Sequence, residues 1–122
     1  ALNSTLYLDL VFEQAVEITG IYARVTPAVA RATTTDRVRI DASLHTTDGT
    51  TGALVSNVAA GASVYDDGTT GAQVIGWSSL SLLPGWSGNA AALRIKIRSG
   101  LTSTVTDQVD AVWVTVKSLS IR

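Results

Sequence analysis

The sequence predicts an all-β protein, and three features support this. The first is composition: the 122 residues include sixteen threonines and fourteen valines but only two glutamates, two lysines and three glutamines. Branched Cβ atoms suit a pleated sheet, whereas the straight-chain residues that cover exposed helix faces are scarce. The second feature is the alternation of apolar and polar residues in short segments, and the third is Asp-Gly turn chemistry between such segments.

Five segments alternate clearly enough to be predicted as half-buried strands. They are 5–12, 18–26, 37–45, 93–98 and 108–118. Weaker alternation predicts two more strands at 53–58 and 72–77, where one side consists of glycine, serine or alanine. Gly20 is predicted to mark a bulge. Pro27 ends the second strand, and the Thr-rich stretch up to Asp36 is predicted to be a loop with one helical turn.

The apolar side of each strand is predicted to face the core. In the first strand these residues are Leu6, Leu8, Leu10 and Phe12; in the second Ile21, Ala23 and Val25; in the third Val38, Ile40, Ala42 and Leu44; near the C-terminus Leu93, Ile95 and Ile97, then Val112, Val114 and Val116.

The pentapeptide Asp-Gly-Thr-Thr-Gly occurs twice, at 48–52 and at 67–71. Asp-Gly is typical of a hairpin because glycine accepts a positive φ and the aspartate side chain bonds to its own backbone. Asp66 and Asp67, together with Asp48, also suggest a calcium site, but the spaced acidic array of a calcium loop is missing. We therefore expect turn-forming acids and no metal.

Seven or eight short strands, each with one apolar face, must pack those faces together. The simplest solution is a two-sheet antiparallel β-sandwich, jelly-roll-like, formed by residues 1–122 as one domain. A small closed barrel is the alternative, and the sequence does not separate the two.

Composition and charge exclude several classes of function. The chain has no cysteine, which excludes zinc fingers, iron–sulfur clusters and thiol nucleophiles. Nine basic and ten acidic residues give a net charge of −1, which argues against a dedicated nucleic-acid binder. No apolar run approaches the roughly 20 residues of a membrane-spanning helix, so we expect no membrane insertion.

Enzymatic chemistry finds little support in the sequence. The chain has a single histidine, His45, which could form a triad with Asp41 and a serine, but no G-x-S-x-G motif occurs. A histidine at the polar end of a strand is usually a solvated surface residue. We expect a protein without catalytic activity and without a cofactor.

Four residues are the best candidates for contacts with a partner. Alternation places Trp113 on the outer side of the last strand, and an outward indole is typical of an interface. Arg94, Lys96 and Arg98 form a row of cations on one sheet face that an acidic neighbour could bind. The competing interpretation of this row is a solvated face.

A carbohydrate-binding site is the alternative to a protein interface. Trp77 and Trp86 flank a short Ser- and Leu-rich segment, and exposed tryptophans stack on sugar rings. Tyr65 and Asp67 would complete such a site by stacking and hydrogen bonding. Burial of the two tryptophans at the end of a sandwich is the simpler expectation.

The chain resembles β-sandwich modules of tailed-bacteriophage virion proteins. The resemblance is carried by Trp77 to Leu83, by Leu93-Arg-Ile-Lys-Ile, by Val109-Asp-Ala-Val-Trp-Val-Thr-Val116, and by two early segments, Leu8-Asp-Leu-Val-Phe12 and Ile18-Thr-Gly-Ile-Tyr-Ala-Arg-Val25. Those modules often carry Trp-Gly where this chain has Gly76-Trp77, and Ala90 to Ala92 replace an expected Gly or Phe.

This resemblance implies a structural role in a virion, in the tail, a fibre, the baseplate or capsid decoration. The expected partners are then other virion proteins and further copies of the same chain, with a glycan as a possible ligand if the module is the tip of a fibre. We expect a non-enzymatic module that works by self-association or by docking on a larger phage assembly.

Overall fold

Two antiparallel sheets make up the computed structural model, which describes residues 4–12, 16–45, 54–57, 63–82, 92–101 and 106–118. The strands are β1 (Thr5–Val11), β2 (Val16–Thr26), β3 (Arg39–His45), β4 (Leu54–Asn57), β5 (Val64–Tyr65), β6 (Gln73–Trp77), β7 (Ala92–Arg98) and β8 (Gln108–Ser118). Sheet A has the order β1-β7-β3-β4, with β5 also paired to β3. Sheet B has the order β6-β2-β8.

The two sheets share one apolar core, to which each contributes alternate residues. In β7, Leu93 and Ile95 are fully buried, while Arg94 between them is half-buried. Burial of one such side chain contributes about 1.5–3 kcal/mol. The buried apolar residues that the structure describes are Ile18, Ile21, Ala23, Val25, Val38, Ile40, Ala42, Leu44, Ile75, Trp77, Leu93, Ile95 and Ile97.

This arrangement confirms the predicted antiparallel sandwich. The chain crosses repeatedly between the sheets, in the manner of a jelly roll, so that β1 lies in sheet A and β8 in sheet B. A closed barrel would require one continuous sheet, and the described strands form two. The predicted helical turn is present as a 3₁₀ turn at Thr34–Asp36. The described residues include no helix with the length and apolar character needed to cross a membrane.

Three predictions are corrected by the structure. Leu6 and Leu10 lie on the inner side of β1, yet they are 41% and 37% exposed. Val116 lies opposite the fully buried Ile18 but is 48% exposed. All three residues lie on strands at the edge of a sheet, where an inward side chain lacks a neighbour on one side.

The Asp67–Gly71 turn is not a hairpin, because it joins β5 of sheet A to β6 of sheet B. Its local chemistry is nevertheless as predicted. Gly68 has a φ of +87°, and the Asp67 carboxylate accepts a hydrogen bond of 2.9 Å from the backbone N–H of Thr69. The other copy of the pentapeptide, at 48–52, lies outside the described residues.

Two irregularities shape sheet B. The register of β2 against β8 shifts between Ile18 and Gly20, as predicted for a bulge at this glycine. In β6, Gly76 has a φ of +147°, and a Cβ there would lie 2.0 Å from the carbonyl oxygen of Ile21. A glycine is therefore required for β6 to approach β2 at this point.

A buried ion pair ties one end of the sandwich together. Arg31 donates two hydrogen bonds, of 3.0 and 3.1 Å, to the two carboxylate oxygens of Asp107, and both side chains are almost fully buried. The same carboxylate accepts hydrogen bonds of 2.8 Å from the backbone N–H groups of Ala28 and Gly100. Asp107 therefore joins two loops to the start of β8. Sequence reasoning missed this pair because its partners are 76 residues apart.

Burial alone would raise the pKa of Asp107, but the hydrogen bonds from Ala28, Arg31 and Gly100 outweigh it and lower that pKa below its ordinary value. A lowered folded-state pKa means that the carboxylate stabilises the fold above its unfolded-state pKa. This stabilisation is lost as the pH falls through the folded-state value.

We predict that Asp107→Asn lowers the free energy of unfolding by about 3–5 kcal/mol at pH 7, because it leaves the Arg31 guanidinium buried without a counter-charge. The difference from the parent protein should shrink as the pH falls below 4. Urea unfolding at pH 7 and in acid measures both effects. Asp9→Asn is the control, since Asp9 forms an exposed pair with Arg94 and should cost at most about 1 kcal/mol. Equal losses in the two variants would contradict the prediction.

We also predict that Gly76→Ala destabilises the protein by more than about 1 kcal/mol, because the new Cβ meets backbone at an unfavourable φ. Gly71→Ala is the matched control: nothing lies within 4 Å of a Cβ at that position, so its effect should stay within about 0.5 kcal/mol. Thermal unfolding of both variants tests the difference, and similar melting temperatures would refute it.

Candidate interaction surface

An aromatic pair lies on the outer surface of sheet B. Tyr22 of β2 and Trp113 of β8 are directly opposite each other, and their rings stack with centroids 5.5 Å apart and planes inclined by 27°. Trp113 remains 39% exposed. Its neighbours Val112 and Val114 pack against the core, as the alternation predicted. The outward position of Trp113 is therefore as expected.

Glycines on both sides of Tyr22 allow this geometry. A Cβ at Gly20 would lie 2.4 Å from the Tyr22 hydroxyl oxygen, so the phenol ring lies directly over that glycine. On the other side Tyr22 is opposite Gly76 of β6. Because neither glycine carries a side chain, the tyrosine ring can lie low across the sheet and stack on the indole.

One exposed cation, Arg24, lies beside the aromatic pair on the same face. It is opposite Val74 in one neighbouring strand and opposite Ala111 in the other. Val74 and Ala111 are both exposed. We call the surface formed by Tyr22, Trp113, Val74 and Ala111 the aromatic face. Exposed apolar and aromatic side chains gathered in this way are typical of the centre of an interface.

The predicted cationic row lies on the outer surface of sheet A. Arg94 donates two hydrogen bonds, of 2.7 and 3.0 Å, to the carboxylate of Asp9 on β1. These bonds, together with the charge of Asp9, raise the pKa of the Arg94 guanidinium. The Tyr7 ring lies 5.7 Å from the Arg94 guanidinium carbon and 5.8 Å from the Lys96 ammonium nitrogen.

Arg98 is also engaged within the chain. Its Nη2 donates hydrogen bonds of 2.9 and 2.8 Å to the carbonyl oxygens of Thr35 and Arg37. Partial burial, together with the charge of Arg39 opposite it, lowers the pKa of Arg98. Most of the positive charge in the row is thus held by groups of the same molecule.

The two predicted contact regions lie on opposite sides of the sandwich. Trp113 belongs to the outer face of sheet B, whereas Arg94, Lys96 and Arg98 belong to that of sheet A. A single flat interface therefore cannot contain all four residues.

The structure places one residue of the proposed carbohydrate site, Trp77, in the core. Trp77 is only 9% exposed and belongs to the core, so its indole is not available to stack on a sugar. The signal was present in the sequence, because Trp77 is two residues from Ile75 and shares its face. Tyr65 is half-buried, opposite Arg39. Trp86 lies outside the described residues.

The acidic residues of the second Asp-Gly turn accept hydrogen bonds from backbone N–H groups. Asp66 is buried, and its carboxylate accepts hydrogen bonds of 2.9 Å from the N–H of Val38 and 2.7 Å from the N–H of Gly68. Asp67 is exposed, and a hydrogen bond from the Thr69 hydroxyl is the main cause of its lowered pKa. Among the described residues no group of three His, Cys, Asp or Glu is placed to hold a metal ion. Asp48 lies outside them.

Of the residues of the hypothetical triad, Asp41 is already bound to other groups of the chain. Asp41 pairs with Arg39 at 2.8 Å and accepts a hydrogen bond from the Ser63 hydroxyl. The side chain of His45 is outside the described part of the structure. Asp41 therefore serves an ion pair on the outer side of sheet A.

Tyr22 is the site residue that sequence reasoning missed. It lies between Ile21 and Ala23, on the polar side of its strand, just as Trp113 does in β8. Alternation thus places Tyr22 on the outer side of β2 in the same way that it places Trp113 on the outer side of β8. What the sequence does not provide is the register that places the two rings together.

Comparisons with known proteins found no match: no protein-family model, no curated protein and no solved structure matches the chain.

Proposed function

We propose that this protein is a non-enzymatic assembly module that works by self-association, with Trp113 at the contact. The observation that carries the proposal is the exposed, stacked pair of Trp113 and Tyr22 on the outer face of sheet B. The resemblance to phage virion modules supports a place in a virion, where a sandwich of this kind would join copies of itself or dock on a larger assembly.

The stacked pair is well suited to a protein contact. Tyrosine and tryptophan present a large apolar area, and the stack holds both rings before a partner arrives, which reduces the entropy lost on binding. The exposed Val74 and Ala111 extend the apolar area around the rings. Such a rigid aromatic centre is the usual place for the residues that dominate a binding energy.

The cationic row is the weaker of the two contact regions. Arg94 would have to release Asp9 before it could bind an acidic neighbour, and Arg98 would have to release its two carbonyl partners. The loss of these bonds offsets most of the gain from a new ion pair. Contacts by Arg94, Lys96 and Arg98 therefore stay a prediction, secondary to Trp113.

We predict that the protein forms oligomers and that Trp113→Thr weakens them by about 2 kcal/mol or more, which is about a thirtyfold increase in the dissociation constant. Threonine keeps the β-propensity of the position and removes the indole. Sedimentation equilibrium over a range of concentrations measures the effect. Tyr7→Thr is the control, because Tyr7 is an exposed aromatic residue on the outer face of sheet A.

Two results would contradict this proposal. One is a parent protein that stays monomeric at about 0.5 mM, a concentration at which even weak interfaces assemble. The other is an oligomer that Tyr7→Thr weakens as much as Trp113→Thr does. Circular dichroism of each variant checks that a loss of association is not a loss of folding.

A further inference from the structure

The described strands include five at the edges of sheets, and β8 is the longest of them, with the longest uncharged segment. β4 has four residues, β5 two and β6 five, and β6 is distorted at Gly76. β1 has seven residues with the charged Asp9 among them. β8 has eleven, and its segment from Ala111 to Val116 contains neither a charged residue nor a proline. Native edge strands usually carry a charged residue or a proline, which hinders pairing with another chain.

The burial of β8 also indicates a missing neighbour. Nine of its eleven residues are exposed, whereas β2, of the same length and at the centre of the same sheet, has one exposed residue. Even the inward Val116 is 48% exposed, although Ile18 opposite it is fully buried. Within the described part of the chain β8 pairs with β2 alone, so one of its edges has no strand beside it.

We propose that the occupant of this edge is the β8 of a second copy, paired antiparallel about a two-fold axis at Val114. The inference rests on the proposed self-association and specifies its geometry. Val114 then lies opposite Val114 of the second copy, Val112 opposite Val116, and Trp113 opposite Thr115. The two B sheets join into one sheet of six strands.

Charge complementarity supports this register. Val25 and Arg24 pair with Val109 and Ala111, so Asp110 is the extra residue of a bulge at one end of β8. Lys117 lies near the other end. Pairing about Val114 places Lys117 of each copy opposite Ala111 of the other, beside the Asp110 carboxylate. Two symmetric ion pairs then flank an uncharged centre.

The same pairing explains the exposed leucines of β1. Leu6 and Leu10 point towards the core side of sheet A, but no strand of sheet B covers them fully. Near Leu6 a cleft of about 200 Å³ opens between β1 and β8, lined in part by Val38, Ile97 and Val109. A strand added beside β8 extends sheet B across this side of the sandwich and covers the two leucines.

Single cysteines test the register, since the natural chain has none. Opposite residues of antiparallel strands have Cα atoms about 4.5–5.5 Å apart, which a disulfide can bridge. Val114→Cys should therefore form a covalent dimer under mild oxidation, seen on a non-reducing gel. Val116→Cys is the matched control: it is the more exposed position, but it faces Val112 of the second copy and should not cross-link to itself.

Exchange of the charges tests the two ion pairs. Lys117→Asp and Asp110→Lys should each weaken the dimer about threefold to tenfold, and the double variant should restore most of the affinity. Asp110 also accepts hydrogen bonds from Thr26 and Gln108 within the chain. The double variant does not restore those bonds, so a recovered dimer reports the contact between copies.

Each result leads to a distinct conclusion. Cross-linking at position 114 and not at 116, with rescue by the double charge exchange, supports pairing through β8. An oligomer that is sensitive to Trp113→Thr but cross-links equally at both positions overturns the β8 pairing and leaves the proposed self-association standing. A parent protein that is monomeric throughout overturns both.

Discussion

The structure depends on one constraint: each long strand must give one of its two sides to a single apolar core. Leu93 and Ile95 of sheet A, and Ile21 and Val25 of sheet B, are fully buried because the two sheets cover each other. The residues between them are thereby forced outwards. The stacked rings of sheet B and the charged surface of sheet A follow from the same alternation, since whatever lies between buried residues must form a surface.

The periodicity of the sequence was sufficient to predict the main strands and the two faces of most of them, and it favoured a sandwich without excluding a closed barrel. Strict alternation around Ile95 identified β7 and its two faces, and the same reasoning placed Trp113 outside the core. Gly20 was expected at a bulge, and the register of β2 shifts beside it. These features are local, because a side chain's face is decided by its neighbours two residues away.

Features that join distant parts of the chain were not predictable in this way. The stack of Tyr22 on Trp113 requires the register between two strands, and the Arg31–Asp107 pair requires two loops to meet. Burial of Trp77 was the favoured expectation and an exposed sugar platform only the alternative, and the indole lies on the buried face that it shares with Ile75. The exposure of Leu6 and Val116 depends on strand order, which alternation does not contain.

The aromatic pair gains a new property if two copies join edge to edge. A two-fold axis perpendicular to the sheet keeps both outer faces on the same side, so the two stacked pairs look in one direction. The Cα atoms of the two tryptophans then lie diagonally across the seam, roughly 7–8 Å apart, a distance that their aromatic rings can bridge. In such a dimer each indole would meet Tyr22 of its own copy on one side and the second indole on the other, so four rings would form one aromatic band across the seam.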